Sequence, residues 1–304
     1  MSKISFIKSD DRRYNIERCL SLIKSEVISV LKDCQNVVIK PNCVVDNNKL
    51  AATSVEALDA LLEFISPYVS SQIVLAEGTG IGDTMKAFTN YGYFSLQEKY
   101  DFAILDLNND DFEMVNIIDQ NRKNVPIQAS KTILNSDCLI SITPPKTHNE
   151  VVFSGGIKNV VVGSLLRPSG SLPARLASRL GLYKNSKTAI HQGYFAINRN
   201  IFSLFNKIPL KLSIIDGFES MEGEGPIDGD LVPSHWAIAS SDPIAADFLA
   251  CQLMGIDIAD IGYLALLEQA EEDKSDYFVT GDDWKKSVKK FKMHSNFDKM
   301  KEWK

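Results

Sequence analysis

The side chains best suited to chemistry are concentrated in residues 144–159, P-P-K-T-H-N-E-V-V-F-S-G-G-I-K-N. Lys146, Thr147 and His148 offer a cation, a hydroxyl group and an imidazole directly after an apolar run and two prolines. The prolines stiffen this loop at the end of a predicted strand. A histidine in such a loop is suited to transfer protons or bind a metal, although many single histidines are structural. We therefore predict that Lys146 and Thr147 bind a ligand and that His148 is a general base.

A glycine-rich turn, S-G-G-I-K-N, ends the same segment. Gly155 and Gly156 would let the backbone approach a ligand closely, and the following apolar run predicts a helix whose free N–H groups face that ligand. Lys158 would lie in the first turn of this helix, where apolar neighbours would lower its pKa and favour an anionic partner or nucleophilic use. Ser154 and Asn159 are predicted ligand contacts. The alternative is a plain turn that carries a surface lysine.

Polar residues also follow two earlier predicted strands. The strand N-V-V-I-K ends in Lys40 and is followed by a proline and Asn42. The next strand ends in the turn E-G-T-G, in which Glu77, Gly78 and Thr79 are candidate ligand contacts. The amides of this turn suit a phosphate, but Glu77 would repel one, so a ribose hydroxyl, an amine or a metal fits better. The alternative for both segments is an ordinary turn.

An acidic, glycine-rich segment contains two predicted metal ligands, Asp216 and Glu222. Hard divalent cations prefer carboxylate oxygens of this kind. The spacing does not match the twelve-residue loop of an EF-hand, and a solvated loop is the alternative.

The charge distribution adds a preference for anions. The stretch between Glu150 and Asp216 contains no acidic residue. It contains nine basic residues: Lys158, Arg167, Arg175, Arg179, Lys184, Lys187, Arg199, Lys207 and Lys211. A basic region in an acidic chain predicts a small anionic ligand or a lipid head group, unless its cations pair with acids elsewhere in the fold. His191 lies in this region and is a further candidate ligand contact.

Part of the basic stretch, S-L-P-A-R-L-A-S-R-L-G-L at residues 171–182, has leucines at helical spacing flanked by arginines. Such a basic amphipathic helix can lie on an anionic membrane or close over a ligand. More often it packs its leucines into the protein.

The elements that must position these residues alternate between strand and helix. Strands are predicted at residues 4–7, 36–40, 72–76, 102–107, 138–143 and 212–216, and helices at 14–31, 53–64 and 243–254. The alternation predicts an α/β fold with a mainly parallel sheet, helices on both faces and the site at the carboxyl ends of the strands. We predict a single domain over residues 1–304, with a basic insertion at about 165–207 and a peripheral Lys-rich helix from about 282.

The composition excludes several classes of protein. A formal net charge of −6 argues against nucleic-acid binding. The N-terminus lacks an apolar signal region and no apolar run approaches the length of a membrane span, so we expect a cytoplasmic protein. The five cysteines contain no C-x-x-C pair, so we expect no iron–sulfur cluster; redox chemistry at Cys43 is a weaker hypothesis.

Several motifs, taken together, are specific. They are K-P-N (40–42), T-S (53–54), A-E-G-T-G (76–80), P-K-T-H (145–148), G-I-K-N (156–159), D-G followed by M-E-G-E-G-P-I-D-G (216–229), and S-D-P-I-A-A-D-F-L-A followed by L-M-G (241–255). With these motifs the chain resembles the bacterial and archaeal family called domain of unknown function 362. The resemblance covers about residues 38–281. It implies no settled activity.

A more distant resemblance is to the nickel-pincer lactate racemases, in which a histidine precedes S-G-G-x-K by the same spacing as His148 and Lys158. It implies an acid/base role for His148 and a nucleotide-derived cofactor or similar anion near Lys158. The racemases carry their other catalytic histidine at the position of Gly80, so the resemblance does not imply two-base racemisation.

Two hypotheses follow for the function. The first is an enzyme that acts on a small anionic or nucleotide-linked compound by proton transfer, with a divalent metal or nucleotide-derived cofactor as candidates. The second is a non-catalytic protein that binds an anion or makes peripheral contact with an anionic membrane.

Overall fold

Apolar, β-branched segments form the strands of one large sheet. The computed structural model describes residues 2–167, 185–270 and 277–304. Its strands are β1 (Ser2–Lys8), β2 (Val37–Lys40), β3 (Ile73–Glu77), β4 (Phe102–Asp106), β5 (Phe112–Ile118), β6 (Asn124–Ser130), β7 (Cys138–Thr143), β8 (Lys146–His148), β9 (Val152–Ser154), β10 (Leu210–Glu222), β11 (Asp230–Ser240) and β12 (Tyr277–Gly281). Ten of them form the sheet, and β5 pairs with β6 in a separate hairpin.

Helices cover both faces of this sheet. They are α1 (Arg12–Leu22), α2 (Lys24–Leu31), α3 (Val55–Ile65), α4 (Thr84–Tyr91), α5 (Lys131–Leu134), α6 (Gly156–Gly163), α7 (Ser186–Ala189), α8 (Tyr194–Phe205), α9 (Pro243–Leu253), α10 (Gly262–Ala270) and α11 (Phe297–Met300). Within the described ranges, none of the helices has the length and apolar character that crossing a membrane requires.

The strand order creates a crevice next to β2. The central strands run in the order β10, β7, β2, β3, β4, and all four of these neighbouring pairs are parallel. The chain moves outward from β2 to β4 and then returns to place β7 on the other flank of β2. In open parallel sheets, ligands bind at the carboxyl ends of the strands where the order reverses in this way. Here that position lies between the ends of β2 and β7.

Successive residues of the central strands contribute to two separate hydrophobic clusters. Ile39 and Ile140 pack in the cluster of α1 to α4, whereas Val38 and Leu139 pack in the cluster of α6, α8 and α9. This alternation is the normal consequence of strand geometry, in which neighbouring side chains point to opposite faces. The predicted α/β fold with helices on both faces is therefore confirmed.

Capping residues fix the starts of two helices that were predicted from the sequence, α3 and α9. The side chain of Ser54 accepts a hydrogen bond from the amide of Glu56 at the start of α3. Asp242 accepts hydrogen bonds from the amides of Ile244 and Ala245 at the start of α9. The helix predicted at residues 14–31 is instead divided into α1 and α2, because Ile23 has φ −116° and ψ 28°, outside the helical range.

The continuous helix predicted from about residue 282 is wrong. Single turns form at Trp284–Ser287, Phe297–Met300 and Lys301–Trp303. Between them, the amides of Lys289 and Phe291 donate hydrogen bonds to the carbonyl groups of Leu253 and Met254. This pairing with the end of α9 competes with helix formation in the tail. Within the predicted basic insertion, the structure describes α7 and α8; the amphipathic helix predicted at residues 171–182 lies outside the described residues.

Candidate functional site

A cavity of about 340 Å³ lies at the carboxyl ends of the central strands. Its wall includes Lys40, Asn42, Glu77, Gly78, His148, Glu150, Ser154, Lys158, Asn159, Lys187 and His191. Nine of these residues were predicted from the sequence to form one site, and the structure brings them together; Glu150 and Lys187 were not. The cavity lies where the strand order reverses, the expected position for a ligand site in this fold class.

Lys158 is a buried cation without a partner among the described residues. Its side chain extends from the first turn of α6 and only 8% of the residue is exposed. Burial lowers its pKa from 10.5 to about 8, and the negative charge of Glu150 opposes this shift only in part. Among the described residues, Glu150 favours the charged form of Lys158 through its charge alone, with no hydrogen bond to the ammonium group. A buried charge in this condition favours an anionic ligand group.

The start of α6 is capped by a residue that sequence reasoning missed. The carboxylate of Asp247, fully buried in α9, accepts hydrogen bonds from the amides of Gly156 at 2.7 Å and Ile157 at 3.1 Å. The prediction that these amides face a ligand is therefore wrong. Burial raises the pKa of Asp247 to about 7, although the two amide hydrogen bonds lower it. The sequence did contain a signal for a buried role of Asp247, because this acidic residue lies inside the apolar run of α9.

The two glycines before α6 serve close packing rather than ligand approach. A Cβ atom on Gly155 would lie 2.5 Å from the Asp247 carboxylate, and one on Gly156 would lie 2.2 Å from the hydroxyl of Ser213. Neither glycine lines the cavity. They allow α6 to sit directly against α9 and β10, which places Lys158 at the cavity wall.

His148 is held in a defined orientation by the backbone. Its Nδ1 atom accepts a hydrogen bond of 3.1 Å from the amide of Glu150. Burial, together with the positive charge of Lys158, lowers the pKa of His148 well below its ordinary value, so its ring is neutral near pH 7. Because an amide N–H can only donate, the proton of the neutral ring resides on Nε2. His148 therefore presents a hydrogen-bond donor at Nε2.

His191 lies at the same cavity, and its Nδ1 atom is paired with a carboxylate oxygen of Glu150. Burial raises the pKa of Glu150, but the hydrogen bond and charge of His191 outweigh this effect and lower it overall. The basic stretch pointed to His191 from the sequence. Glu150, which follows His148 by two residues, was not predicted as part of the site.

A buried network supports the opposite wall. Lys40 forms an ion pair of 2.6 Å with Glu77 and contacts the side-chain oxygen of Asn159 at 3.3 Å. Asn42 donates to the same oxygen at 3.0 Å, and Lys146 donates to the side-chain oxygen of Asn42. Lys40 and Glu77 therefore satisfy each other rather than a ligand. Burial lowers the pKa of Lys146 to about 7, and this lysine supports Asn42 from behind the cavity.

Lys187 contributes a second cation that the sequence suggested only as part of the basic stretch. Its ammonium group donates to the carbonyl groups of Val162 and Gly163 at 3.2 and 2.9 Å, at the carboxyl end of α6. Burial lowers its pKa to about 7. Lys187 thus caps α6 and borders the cavity, whereas Lys158 has no such carbonyl partner among the described residues.

Besides Gly155, Gly156 and Lys146, four further predicted site residues do not line the cavity. The hydroxyl of Thr147 donates a hydrogen bond to the carbonyl of Gly223. The carbonyl of Thr79 accepts a hydrogen bond of 3.1 Å from Nε of Arg167. Asp216 forms an ion pair of 3.3 Å with Arg12 beside a separate cavity of about 160 Å³. Glu222 accepts a hydrogen bond from the amide of Lys292.

These positions correct the predicted metal site. Asp216 and Glu222 do not share a site, and the cavity that Asp216 borders does not include Glu222. Across residues 2–167, 185–270 and 277–304, no three His, Cys, Asp or Glu side chains are grouped to hold a metal ion. Cys43 borders the main cavity, but burial raises the pKa of its thiol, which does not favour a reactive thiolate.

The family model described as "Domain of unknown function (DUF362)" matches residues 37–252. The Thylakoid-associated protein of Synechocystis sp. (strain ATCC 27184 / PCC 6803 / Kazusa) is 23% identical over 241 residues, which are 79% of this chain and 69% of that protein.

Among solved structures, the lactate racemase apoprotein from Thermoanaerobacterium thermosaccharolyticum is similar over 86% of this chain and 57% of that chain, with 16% identity and a TM-score of 0.49. A protein from Thermotoga maritima is similar over 91% of this chain and 62% of that chain, with 15% identity and a TM-score of 0.46. This chain therefore spans less than two thirds of either of those structures.

Proposed function

This chain belongs to the domain of unknown function 362 family, and on that premise we propose that it is an enzyme that transfers a proton on a small anionic substrate. The observation that carries the proposal is Lys158, a residue that is only 8% exposed, whose ammonium group has no hydrogen-bond partner among the described residues and which borders a cavity with two imidazole groups. Lys158 binds the anionic group of the substrate, and His148 donates a hydrogen bond to a second group. This donor role replaces the base role predicted for His148 from the sequence.

The other cations of the cavity wall leave Lys158 as the favoured anion anchor. Lys40 is neutralised by Glu77, and Lys187 donates to the carbonyl groups at the end of α6. Burying an ammonium group without a hydrogen-bond acceptor is unfavourable, and a carboxylate or phosphate oxygen would relieve that cost. The ligand therefore supplies the hydrogen-bond acceptor that the described residues do not provide for Lys158, since Glu150 acts on it through charge alone.

The rest of the wall favours a substrate with an uncharged portion. Val44, Ile81, Val162, Pro226 and Ile227 border the cavity alongside the polar groups. Apolar walls lower the local dielectric constant and strengthen the interaction of Lys158 with an anion. A small organic acid satisfies both features.

The histidine pair favours an enzyme over a binding protein. Lys158 alone would suffice to hold an anion, whereas the imidazole, which both His148 and His191 place at the same cavity, is the side chain that most often transfers protons in enzymes. The non-catalytic alternative remains an outcome of the test below. Its membrane version depends on residues 172–187, most of which lie outside the described residues.

Thermal unfolding with a panel of small carboxylates and inorganic phosphate tests the anion anchor. We expect at least one anion to raise the Tm of the wild type and of Lys86→Met, but not of Lys158→Met. Lys86 is the matched control because its side chain is 62% exposed and lies outside the cavity. An equal response of all three proteins to every anion would refute the anchor.

Proton exchange separates the enzyme from the binding protein. For each anion that binds, NMR in D₂O follows the loss of carbon-bound protons next to the carboxyl or carbonyl group. We expect exchange with the wild type and its loss in His148→Gln, with anion binding retained. Binding without any exchange in the wild type would favour the non-catalytic alternative, as would flotation of the chain with anionic vesicles in both the wild type and Lys158→Met.

A further inference from the structure

Glu150 contacts both histidines of the cavity, but with different groups. Its backbone amide donates to Nδ1 of His148 at 3.1 Å. Its side-chain carboxylate is paired with Nδ1 of His191. One residue therefore bonds the same ring atom of two imidazoles, once with a donor and once with an acceptor.

The two contacts impose opposite hydrogen positions on neutral rings. The amide can only donate, so Nδ1 of His148 accepts and its proton is on Nε2. The carboxylate can only accept, so Nδ1 of His191 carries the proton and Nε2 has the free lone pair. His148 is thus a donor at Nε2 and His191 is an acceptor at Nε2, and both residues border the cavity.

We propose that Glu150 is a positioning residue that makes His191 the proton acceptor and His148 the hydrogen-bond donor of the reaction. This inference rests on the proposed function and makes it more specific. The substrate class is an organic anion with a C–H bond next to a carbonyl or carboxyl group, held by Lys158. A carboxylate that orients an imidazole through Nδ1 is a recurrent arrangement for a general base acting through Nε2.

The proposed step is balanced without a further reactant. The C–H bond of the substrate breaks and its proton moves to Nε2 of His191. The electron pair of that bond forms a carbon–carbon double bond, and the carbonyl electrons move to the oxygen. The Nε2–H group of His148 donates a hydrogen bond to that oxygen. The proton on Nε2 of His191 exchanges with solvent, and transfer of the solvent-derived proton from His191 to carbon completes the exchange.

The surface contains a matched control for the His191 arrangement. Nδ1 of His235 contacts a carboxylate oxygen of Asp10 at 2.7 Å, and its ring stacks on Phe218. His235 therefore has the same ring-to-carboxylate bond but does not border the cavity of Lys158.

The first test is ¹⁵N NMR of the full chain labelled at its histidine rings, above neutral pH, with each histidine assigned by its His→Gln variant. We expect the Nε2–H form for His148 and the Nδ1–H form for His191 and His235. In Glu150→Gln the backbone amide remains, so His148 should keep its form while His191 becomes a mixture. A Nδ1–H form of His148, or an unchanged His191 in Glu150→Gln, would overturn the proposal.

The second test compares the alkylating agents iodoacetate and iodoacetamide, with sites and rates read by peptide mass spectrometry. We expect iodoacetate to modify His191 at Nε2 faster than it modifies His148. The iodoacetate-to-iodoacetamide rate ratio at His191 should exceed that at His235 by about tenfold, the effect of about 1.4 kcal/mol of attraction. Lys158→Met should remove this excess.

The outcomes separate the two proposals. Faster modification of His148 than of His191 would overturn the assignment of roles. If His191 is preferred with both reagents but Lys158→Met has no effect, the anion anchor is refuted while the roles of the histidines stand.

Discussion

Replacing Lys158 with methionine should stabilise the ligand-free protein. The change keeps most of the apolar side chain and removes a charge that is 8% exposed and has no partner among the described residues. Burial lowers the pKa of Lys158 from 10.5 to about 8. At about 1.4 kcal/mol for each tenfold change in the protonation equilibrium, the charged form destabilises the fold by about 3 kcal/mol.

The lowered pKa of Lys158 also determines how the stability difference between Lys158→Met and the wild type changes with pH. Because the pKa of Lys158 is lower in the folded chain than in the unfolded chain, the unfolded chain binds more protons between about pH 8 and 10.5. The stability contributed by this group therefore rises with pH through that window, and the full penalty is present below it. Lys158→Met should exceed the wild type by about 3 kcal/mol near pH 7, and the difference should vanish as the pH rises to about 10.5.

Urea unfolding followed by tryptophan fluorescence measures both values, at about pH 7 and at about pH 10. Lys86→Met is the control, because its side chain is 62% exposed and should change the free energy of unfolding by less than about 0.5 kcal/mol. A Lys158→Met protein that is less stable than the wild type near pH 7 would refute the reasoning. So would a difference that is the same at both pH values.

Three further variants test the packing around the site by the same urea assay. Gly156→Ala should lower the free energy of unfolding by about 1–3 kcal/mol, because its Cβ would lie 2.2 Å from the Ser213 hydroxyl. Adding Ser213→Ala should restore most of that free energy, and no restoration would contradict the contact. Lys40→Met should cost about 3–5 kcal/mol because it leaves Glu77 buried without its cation, and a neutral result would contradict the ion pair. The pKa of Asp247 is raised in the folded chain, so the wild type should lose stability as pH rises from about 4 to about 7 and the folded carboxyl group loses its proton. Asp247→Asn lacks this titration and should gain stability relative to the wild type over the same range. Parallel plots of unfolding free energy against pH for the two proteins would contradict this.

Local sequence signals predicted the elements whose ends are fixed by their own residues. Ser54 and Asp242 both act as caps in the structure, and the helices that follow them begin where expected. The break at Ile23 was missed because the apolar pattern continues across it. Ile23 itself is fully buried, so its side chain fits the helical pattern although its backbone does not.

The candidate site also contains residues that local sequence signals identified and residues whose roles depend on contacts between distant parts of the chain. His148 and Lys158 were found because they follow predicted strands in a stiff loop and a glycine-rich turn. The capping carboxylate of Asp247 was missed because its partners lie about 90 residues earlier in the chain. The separation of Lys40 and Glu77 in the sequence likewise hid their pairing, through which two predicted ligand contacts neutralise each other.

Three buried lysines that have acceptors within the protein make the lack of an acceptor at Lys158 informative. Lys40 reaches Asn159 across 119 residues of sequence, and Glu77 neutralises it at the end of the neighbouring strand. Lys146 and Lys187 are buried too, and each donates to oxygens of the protein. This fold supplies acceptors for three buried lysines, but none of its described residues accepts a hydrogen bond from Lys158, which leaves a destabilising charge at a cavity. Such a charge is retained where a ligand supplies the missing acceptor, and the stability of Lys158→Met and its loss of anion binding are two consequences of that one feature.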